Sequence, residues 1–467
     1  MSAVASQWPG WLRRHTGIEH AGTPRTFFAW TTIALSLFVI AYVGGWNAAK
    51  YPIALGYDYN SNAAYMHVLL NDHRIPTPQE SLESRQPPVY YLVGGLAARA
   101  GHWIFGWHEE PTHDLPEHSY RGAQILNVIF ALLTALLLLS LARMAAPRSP
   151  PVWAAALAFF AFLPVVAKTD AMIHPEPLNM LESTAAVWLT TKLLRRPSFS
   201  PALLVGIVIV LALGLATRAS TIFTAAAIGI TLIVGYAPRL RRRVLRRQHL
   251  VAFTAALLLV AGTVFWISNG SHNASLASLA DTASGSATSH RAFFTFPLKS
   301  LFETPYRANF DNAAFPETYD EIWGDWIGSF AWSTFQGPPT GEVLSVLRDQ
   351  DWMGLIPTAL AIGGWCLLAF TAVRRRRDLL AVTLVAPIAL LGYFARSFEQ
   401  LTSDGDLFKA SYLLTTAPVW ALGFGFAWDQ LARFRWLRAG LGLSLVIFAV
   451  LELRFMMFGL RYGSPPF

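Results

Sequence analysis

One cysteine, Cys366, is present among 467 residues. No disulfide can close within the chain, and a thiolate-rich metal site is excluded. Charge is scarce too: Asp, Glu, Lys and Arg together make up 14 %, against about 25 % in soluble domains. Hydrophobic residues reach 54 % and the mean hydropathy is +0.39. That balance excludes a disordered chain and an ordinary cytosolic enzyme. No internal repeat is evident, and low complexity is confined to the Ser/Ala/Thr-rich stretch 271–289. The first apolar run lacks a small-residue cleavage site after it, so it reads as a span and not as a removed leader.

What the chain has in quantity is apolar sequence near membrane-spanning length. Charge-free runs cover 27–45, 122–142, 150–167, 200–217, 219–236, 249–268, 354–373, 379–395 and 410–428. Two more, 177–193 and 437–458, each carry one acid, Glu182 and Glu452. The expectation is an all-α polytopic membrane protein with about 11 transmembrane helices. A further stretch, 87–107, holds Arg99, His102 and the pair Gly94–Gly95.

Arginine placement decides that stretch. If 87–107 does not span, every second junction is basic: Arg13, Arg14 and Arg25, then Arg143 and Arg148, Arg195 and Arg196, the run 239–247, Arg374 to Arg377, and Arg433 to Arg438. By the positive-inside rule all lie on the cytoplasmic face with the N-terminus. The segment 87–107 is then an amphipathic helix on the outer surface. The net charge of +8 thus reads as an orientation signal and not as a nucleic-acid footprint. The division that follows is a cytoplasmic segment 1–26, a membrane module 27–268 containing outer loop 46–120, a large outer loop 269–352, and C-terminal helices 353–467. The long loops share one side, which is where function is expected.

Candidate chemistry gathers at the outer ends of spans. Asp58 follows the first span and precedes a helical pattern at 60–70. As an isolated acid it reads as a helix-capping or turn residue. Arg85 stands before QPPVYY, where two prolines open a helix and Tyr90 and Tyr91 read as interfacial anchors. Arg218 lies between two apolar runs with almost no loop, a costly place for a charge without an anion. Arg396 and Lys409 flank a loop containing Glu399, Asp404 and Asp406, which offers simple ion pairing as a second reading. Lys168 reads as a span-end lysine reaching for the headgroups, and Tyr412 as an interface residue. Asp170, His174 and Glu176 share a short outer loop that reads as a solvated turn, with a divalent metal site as the alternative. Glu182, inside a span, reads as a cavity-facing acid. The histidines at 102, 108, 113 and 118 lack zinc spacing and read as surface. Trp323, Trp326 and Trp332 with Asp320, Glu321 and Asp325 form an aromatic and acidic block that suits either an acceptor element or a small loop core.

The outer aspartate followed by Gln-Pro-Pro-Val-Tyr-Tyr resembles the polytopic GT-C glycosyltransferases, among them the protein O-mannosyltransferases and the lipid A aminoarabinose transferases. The stretches TKLLRR, GLATRAS and DLFKASYLL resemble bacterial members more loosely. Tyr59 follows Asp58 where that family often carries an acid. The resemblance implies a GT-C-like fold and a polyprenyl-phosphate-linked sugar as donor. It implies transfer to an acceptor (glycan, lipid or protein) on the outer side of a bacterial inner membrane, with Asp58 as general base. Carbohydrate transfer needs a carboxylate at the attacking hydroxyl and fixed cations at the leaving phosphate. Arg85, Arg218, Lys409, Arg396, Tyr412 and Lys168 are the phosphate-binding candidates. The resemblance assigns no certain cofactor; a divalent metal stays open, and membrane lipids surround the chain. A lipid-sugar flippase or secondary transporter is the competing class, and it would place ionisable residues and broken helices near mid-membrane.

Overall fold

A computed structural model describes residues 24–106, 120–241, 291–325, 328, 330, 341–399 and 408–459. Among them every regular element is helical. In chain order the helices are α1 (Pro24–Lys50), α2 (Tyr59–Asn71), α3 (Val89–Phe105), α4 (Arg121–Ala145), α5 (Pro150–Ala161), α6 (Pro164–Asp170), α7 (Glu176–Arg195), α8 (Pro201–Thr217), α9 (Thr221–Arg241), α10 (Leu298–Glu303), α11 (Ala314–Trp323), α12 (Gly341–Arg374), α13 (Leu380–Glu399), α14 (Ala417–Leu431) and α15 (Arg435–Met456). Prolines open α5, α6, α7, α8 and α14 at the first or second position, where a missing N–H costs nothing.

Among the described residues, six helical segments are long and apolar enough to cross a membrane: Thr26–Lys50, Arg121–Ala145, Gly341–Arg374, Arg377–Glu399, Ala410–Leu431 and Ala439–Met456. The expected span at 150–167 is broken into α5 and α6, bent by 55°, which makes at most a seventh. The expected 177–193 is α7, too polar to qualify but largely buried within the bundle. The stretch 249–268 lies outside the described residues. Outward faces carry large apolar side chains, such as Phe38 on α1, Leu136 on α4 and Phe370 on α12, which suits a lipid surround.

The bundle packs α12 on α14, α14 on α5, α5 on α1, α4 on α7, α7 on α8 and α9 on α13. Gly364 of α12 and Gly423 of α14 meet with no room for a side chain on either, the close backbone approach small residues permit between membrane helices. Arg121 is buried and donates to the carbonyls of Ala48 (2.6 Å) and Tyr51 (2.8 Å), satisfying the C-terminal end of α1.

The 87–107 segment is α3, with Leu92, Leu96, Trp103, Ile104 and Phe105 exposed and Gly94, Gly95 and Ala98 buried. Tyr90 and Tyr91 differ from expectation. Both are fully buried on the inner face of α3, where Tyr91 stacks on Tyr65 at 3.9 Å. Tyr91 donates to Asn62 (3.2 Å), and Tyr90 accepts from Asn127 (3.2 Å). The buried hydroxyls are met by α2 and α4 instead of by headgroups. The described part of the large outer loop folds back on the bundle, and an apolar cluster of Tyr51, Tyr57, Phe310, Phe330, Val346 and Leu347 seals it to the loop before α2.

Candidate active site at the outer-loop junction

Asp58 directly precedes α2, with φ 53° and ψ 25°. A left-handed backbone is uncommon for a residue with a side chain, and such positions gather at functional sites. The side chain makes no capping bond to α2, so the capping role is not taken up. Instead its Oδ2 lies 3.4 Å from Nζ of Lys409, which directly precedes the 3-10 turn Ala410–Thr416. The Asp58 side chain is 36 % exposed while that of Lys409 is 8 % exposed. A carboxylate open on one side is therefore held from the other by a buried ammonium.

Two buried charge systems frame that pair. In the first, Lys168 donates to the Tyr57 hydroxyl (2.9 Å) and to Glu321 (3.4 Å), and it forms a short ion pair with Asp325. Tyr57 in turn donates to Asp325 Oδ2 at 2.6 Å. Arg307 pairs with Glu321 and with Glu317 (3.4 Å), and donates to the carbonyl of Phe408 at 3.0 Å. Burial pushes the Glu321 carboxyl up against the pull of Lys168 and Arg307. Burial, then Asp325, pushes the Tyr57 hydroxyl well up. Lys168 is thus occupied by carboxylates inside the protein and is 3 % exposed. Neither headgroup snorkelling nor phosphate contact describes its position.

In the second system, Arg218 ends α8 in extended conformation. Its Nε lies 2.8 Å from Glu176 and its Nη1 lies 3.8 Å from Glu83. Its guanidinium sits 5.1 Å from the Tyr412 ring. Glu176 also accepts from Asn179 at 3.1 Å. The Glu83 carboxyl is raised by burial, opposed by Arg218 and Lys409 and reinforced by Asp58. Asp58, Lys409, Glu83, Arg218 and Tyr412 thus form one cluster. Behind it His174 is buried edge-on to Tyr57 at 6.5 Å. Burial holds its imidazole well below the usual range, with Arg218, Lys409 and Lys168 adding to the effect.

The remaining candidates fall around this cluster. Arg85 closes the 3-10 turn Leu82–Arg85 that carries Glu83. Arg396 stands in the last turn of α13 and faces Tyr412 and Arg218 electrostatically. Glu182 lies deeper and accepts from Thr217 of α8 at 3.0 Å. The 168–176 stretch is not a solvated turn: Lys168, Asp170, His174 and Glu176 are all buried, because α6 and α7 carry it into the bundle. Glu176 is held by Arg218, and no group of three metal-ligating side chains exists among the described residues.

Sequence reading missed Glu83 as a partner, and it missed the linkage of Lys168 and Arg307 to the acids of α11. Glu83 is one acid in a polar turn. The spacing from Lys168 to Asp325 is 157 residues, beyond any local pattern. Of the aromatic and acidic block, Trp323 is buried and donates to Thr358 (2.8 Å), so its described part is interior. Trp326 and Trp332 lie outside the described residues, as do His108, His113 and His118.

No protein-family model and no curated protein matches the chain. Among solved structures it is similar to ArnT from Cupriavidus metallidurans in the apo state, at 14 % identity and TM-score 0.38, over 88 % of this chain and 81 % of that one. The undecaprenyl phosphate-bound ArnT gives 14 % identity and TM-score 0.37, over 86 % and 79 %. It is also similar to the archaeal oligosaccharyltransferase AglB from Archaeoglobus fulgidus, in complex with an inhibitory peptide and a dolichol-phosphate. There the identity is 11 % and the TM-score 0.49, over 94 % of this chain and 56 % of AglB.

Proposed function

We propose that the chain is an integral-membrane glycosyltransferase. It moves a sugar from a polyprenyl-phosphate carrier to an acceptor hydroxyl on the outer face of a bacterial inner membrane. The observation that carries the reading is the half-open Asp58 carboxylate held 3.4 Å from the buried Lys409. An acceptor hydroxyl needs a base within hydrogen-bond reach, and Asp58 is the exposed acid of the cluster. The acceptor oxygen attacks the anomeric carbon, its proton passes to Asp58, and the carbon–oxygen bond to phosphate breaks. The polyprenyl phosphate leaves with that electron pair. Lys409 and Arg218 lie where the developing phosphate charge needs fixed cations, and Tyr412 offers a hydroxyl beside them. Glu176 and Glu83 hold Arg218 in place before the donor arrives. Arg85, in the turn that carries Glu83, and Arg396, beside Tyr412, are further cations for the donor phosphate.

The test uses the full chain in lipid discs, offered radiolabelled polyprenyl-phosphate sugars, wild type beside Asp58→Asn. Loss of label from one donor with wild type alone supports the reading. With the same protein in sealed vesicles, label moved across the bilayer with no covalent product assigns a transporter instead, and equal turnover by both proteins removes Asp58 as the base.

A further inference from the structure

A charged cavity lies at the other end of the bundle from the Asp58 cluster. Glu176 and Arg195 are the two ends of α7, so its 20 residues separate the cavity from the Asp58 cluster by roughly 30 Å. Helix α13 repeats the arrangement, with Arg396 at the cluster end and the turn Arg377–Leu379 at the other. The cavity holds about 470 Å³ and is lined by Arg195, Gly235 and the run Arg374 to Asp378.

Its walls are fixed before any ligand binds. Arg376 makes a two-pronged bond to Asp378 (2.9 and 2.7 Å) and donates to the carbonyl of Met144 at 3.2 Å. Arg195 donates to the same carbonyl at 3.0 Å and lies 3.8 Å from Asp378. These contacts close the C-terminal end of α4, where cations suit the unpaired carbonyls. They also set the single acid of the lining against two arginines. Arg374, Arg375 and Arg377 then add three exposed guanidinium groups to the same rim. Gly235, having no side chain, lets α9 pack closely on Leu194 of α7 beside the cavity. Planar guanidinium forks converging on one concave site suit a phosphate, which they bind with two bonds each. Basic pockets between membrane helices take anionic lipid headgroups in this way.

We infer that this cavity binds a phosphate group, carried by an anionic phospholipid of the leaflet opposite the Asp58 cluster. The site is independent of the proposed transfer reaction and uses none of its residues.

The full chain is reconstituted in discs of phosphatidylcholine with trace phosphatidylglycerol, and lipid retention is read by native mass spectrometry. The proteins are wild type, Arg374→Gln/Arg377→Gln, and the charge-keeping Arg374→Lys/Arg377→Lys. Thermal midpoints establish that each is folded. The expected result is one tightly held phosphatidylglycerol on wild type, bound at least tenfold more weakly by the Gln pair and intermediate in the Lys pair. In a second arm, inorganic phosphate and pyrophosphate are added to discs of phosphatidylcholine alone. A midpoint shift for wild type and not for the Gln pair, without preferential lipid retention, keeps the phosphate site but overturns its lipid source. Equal lipid retention by wild type and both variants, with no response to either soluble anion, overturns the site.

Discussion

Lys409 brings its ammonium to 3.4 Å from the carboxylate of Asp58 across 351 residues of chain. The lysine is buried and the aspartate is half open. The pair therefore offers a fixed positive charge on its protein side and a reachable acid on its solvent side.

Replacing Asp58 tests the acid alone. Asp58→Asn keeps size and backbone while removing the negative charge, and transfer should fall about 10²- to 10⁴-fold with an unchanged thermal midpoint. Asp58→Gly should be equally inactive yet at least as stable, because glycine adopts φ 53° without strain. Initial rates and melting curves on the same preparations check both.

The two lysines near Tyr57 should behave oppositely. Lys168→Met takes the ammonium away from Asp325 and Glu321, whose side chains are 1 % and 0 % exposed, and should cost about 3–5 kcal/mol. Lys409→Met leaves Asp58 able to hydrate, so it should be nearly neutral for stability while raising the KM for donor. Denaturation in detergent and donor titration separate the two roles.

His174 gives the acid limb of stability a specific source. Its native imidazole titrates well below the usual range, whereas the unfolded chain takes up a proton near pH 6.5. The unfolded state then binds more protons, so this contribution is complete above about pH 6.5 and is lost as pH falls. Glu83, Glu321 and Asp320 have raised carboxyls and work in the opposite sense, so the difference between proteins is what matters. His174→Gln should flatten the fall below pH 6.5 by up to about 1.4 kcal/mol per pH unit, read from melting curves of both proteins across pH 5–8.

Packing at the α12–α14 crossing is testable without touching the site. Gly364→Val drives methyl groups into the backbone of Gly423 and should cost about 1–3 kcal/mol. Transfer by the fraction that stays folded should match wild type. Melting and specific activity per folded molecule check this.

The fold class was legible because it rests on run length, and apolar runs survive in any context. Helix breaks were less so: 150–167 reads as one run, yet Leu163 and Pro164 bend it by 55°, since a proline in the run clashes with the preceding turn. At the site, Asp58 was visible from its place after the first span and before the proline pair. Its orientation was not, because a left-handed residue that forgoes capping is fixed by Lys409, far along the chain. The solvated reading of 168–176 failed for a related reason. Lys168 is matched by Asp325 and Glu321, and Glu176 by Arg218, all from distant segments, and a local window shows only polar residues beside a span. Tyr59, not an acid, follows Asp58; Glu83 and Glu176 reach the cluster through Arg218.

The acids of α11 and the following turn sit one residue behind each member of the open pair. Asp325 grips the hydroxyl of Tyr57, the neighbour of Asp58. Arg307, braced on Glu321, grips the carbonyl of Phe408, the neighbour of Lys409. The described part of the large outer segment therefore works as a gunsight mount: through Tyr57 and Phe408 it sets the aim of both the acid and the ammonium. A change anywhere along Glu317 to Asp325 should blur the two together, and a change at either member of the pair should leave the mount as it was.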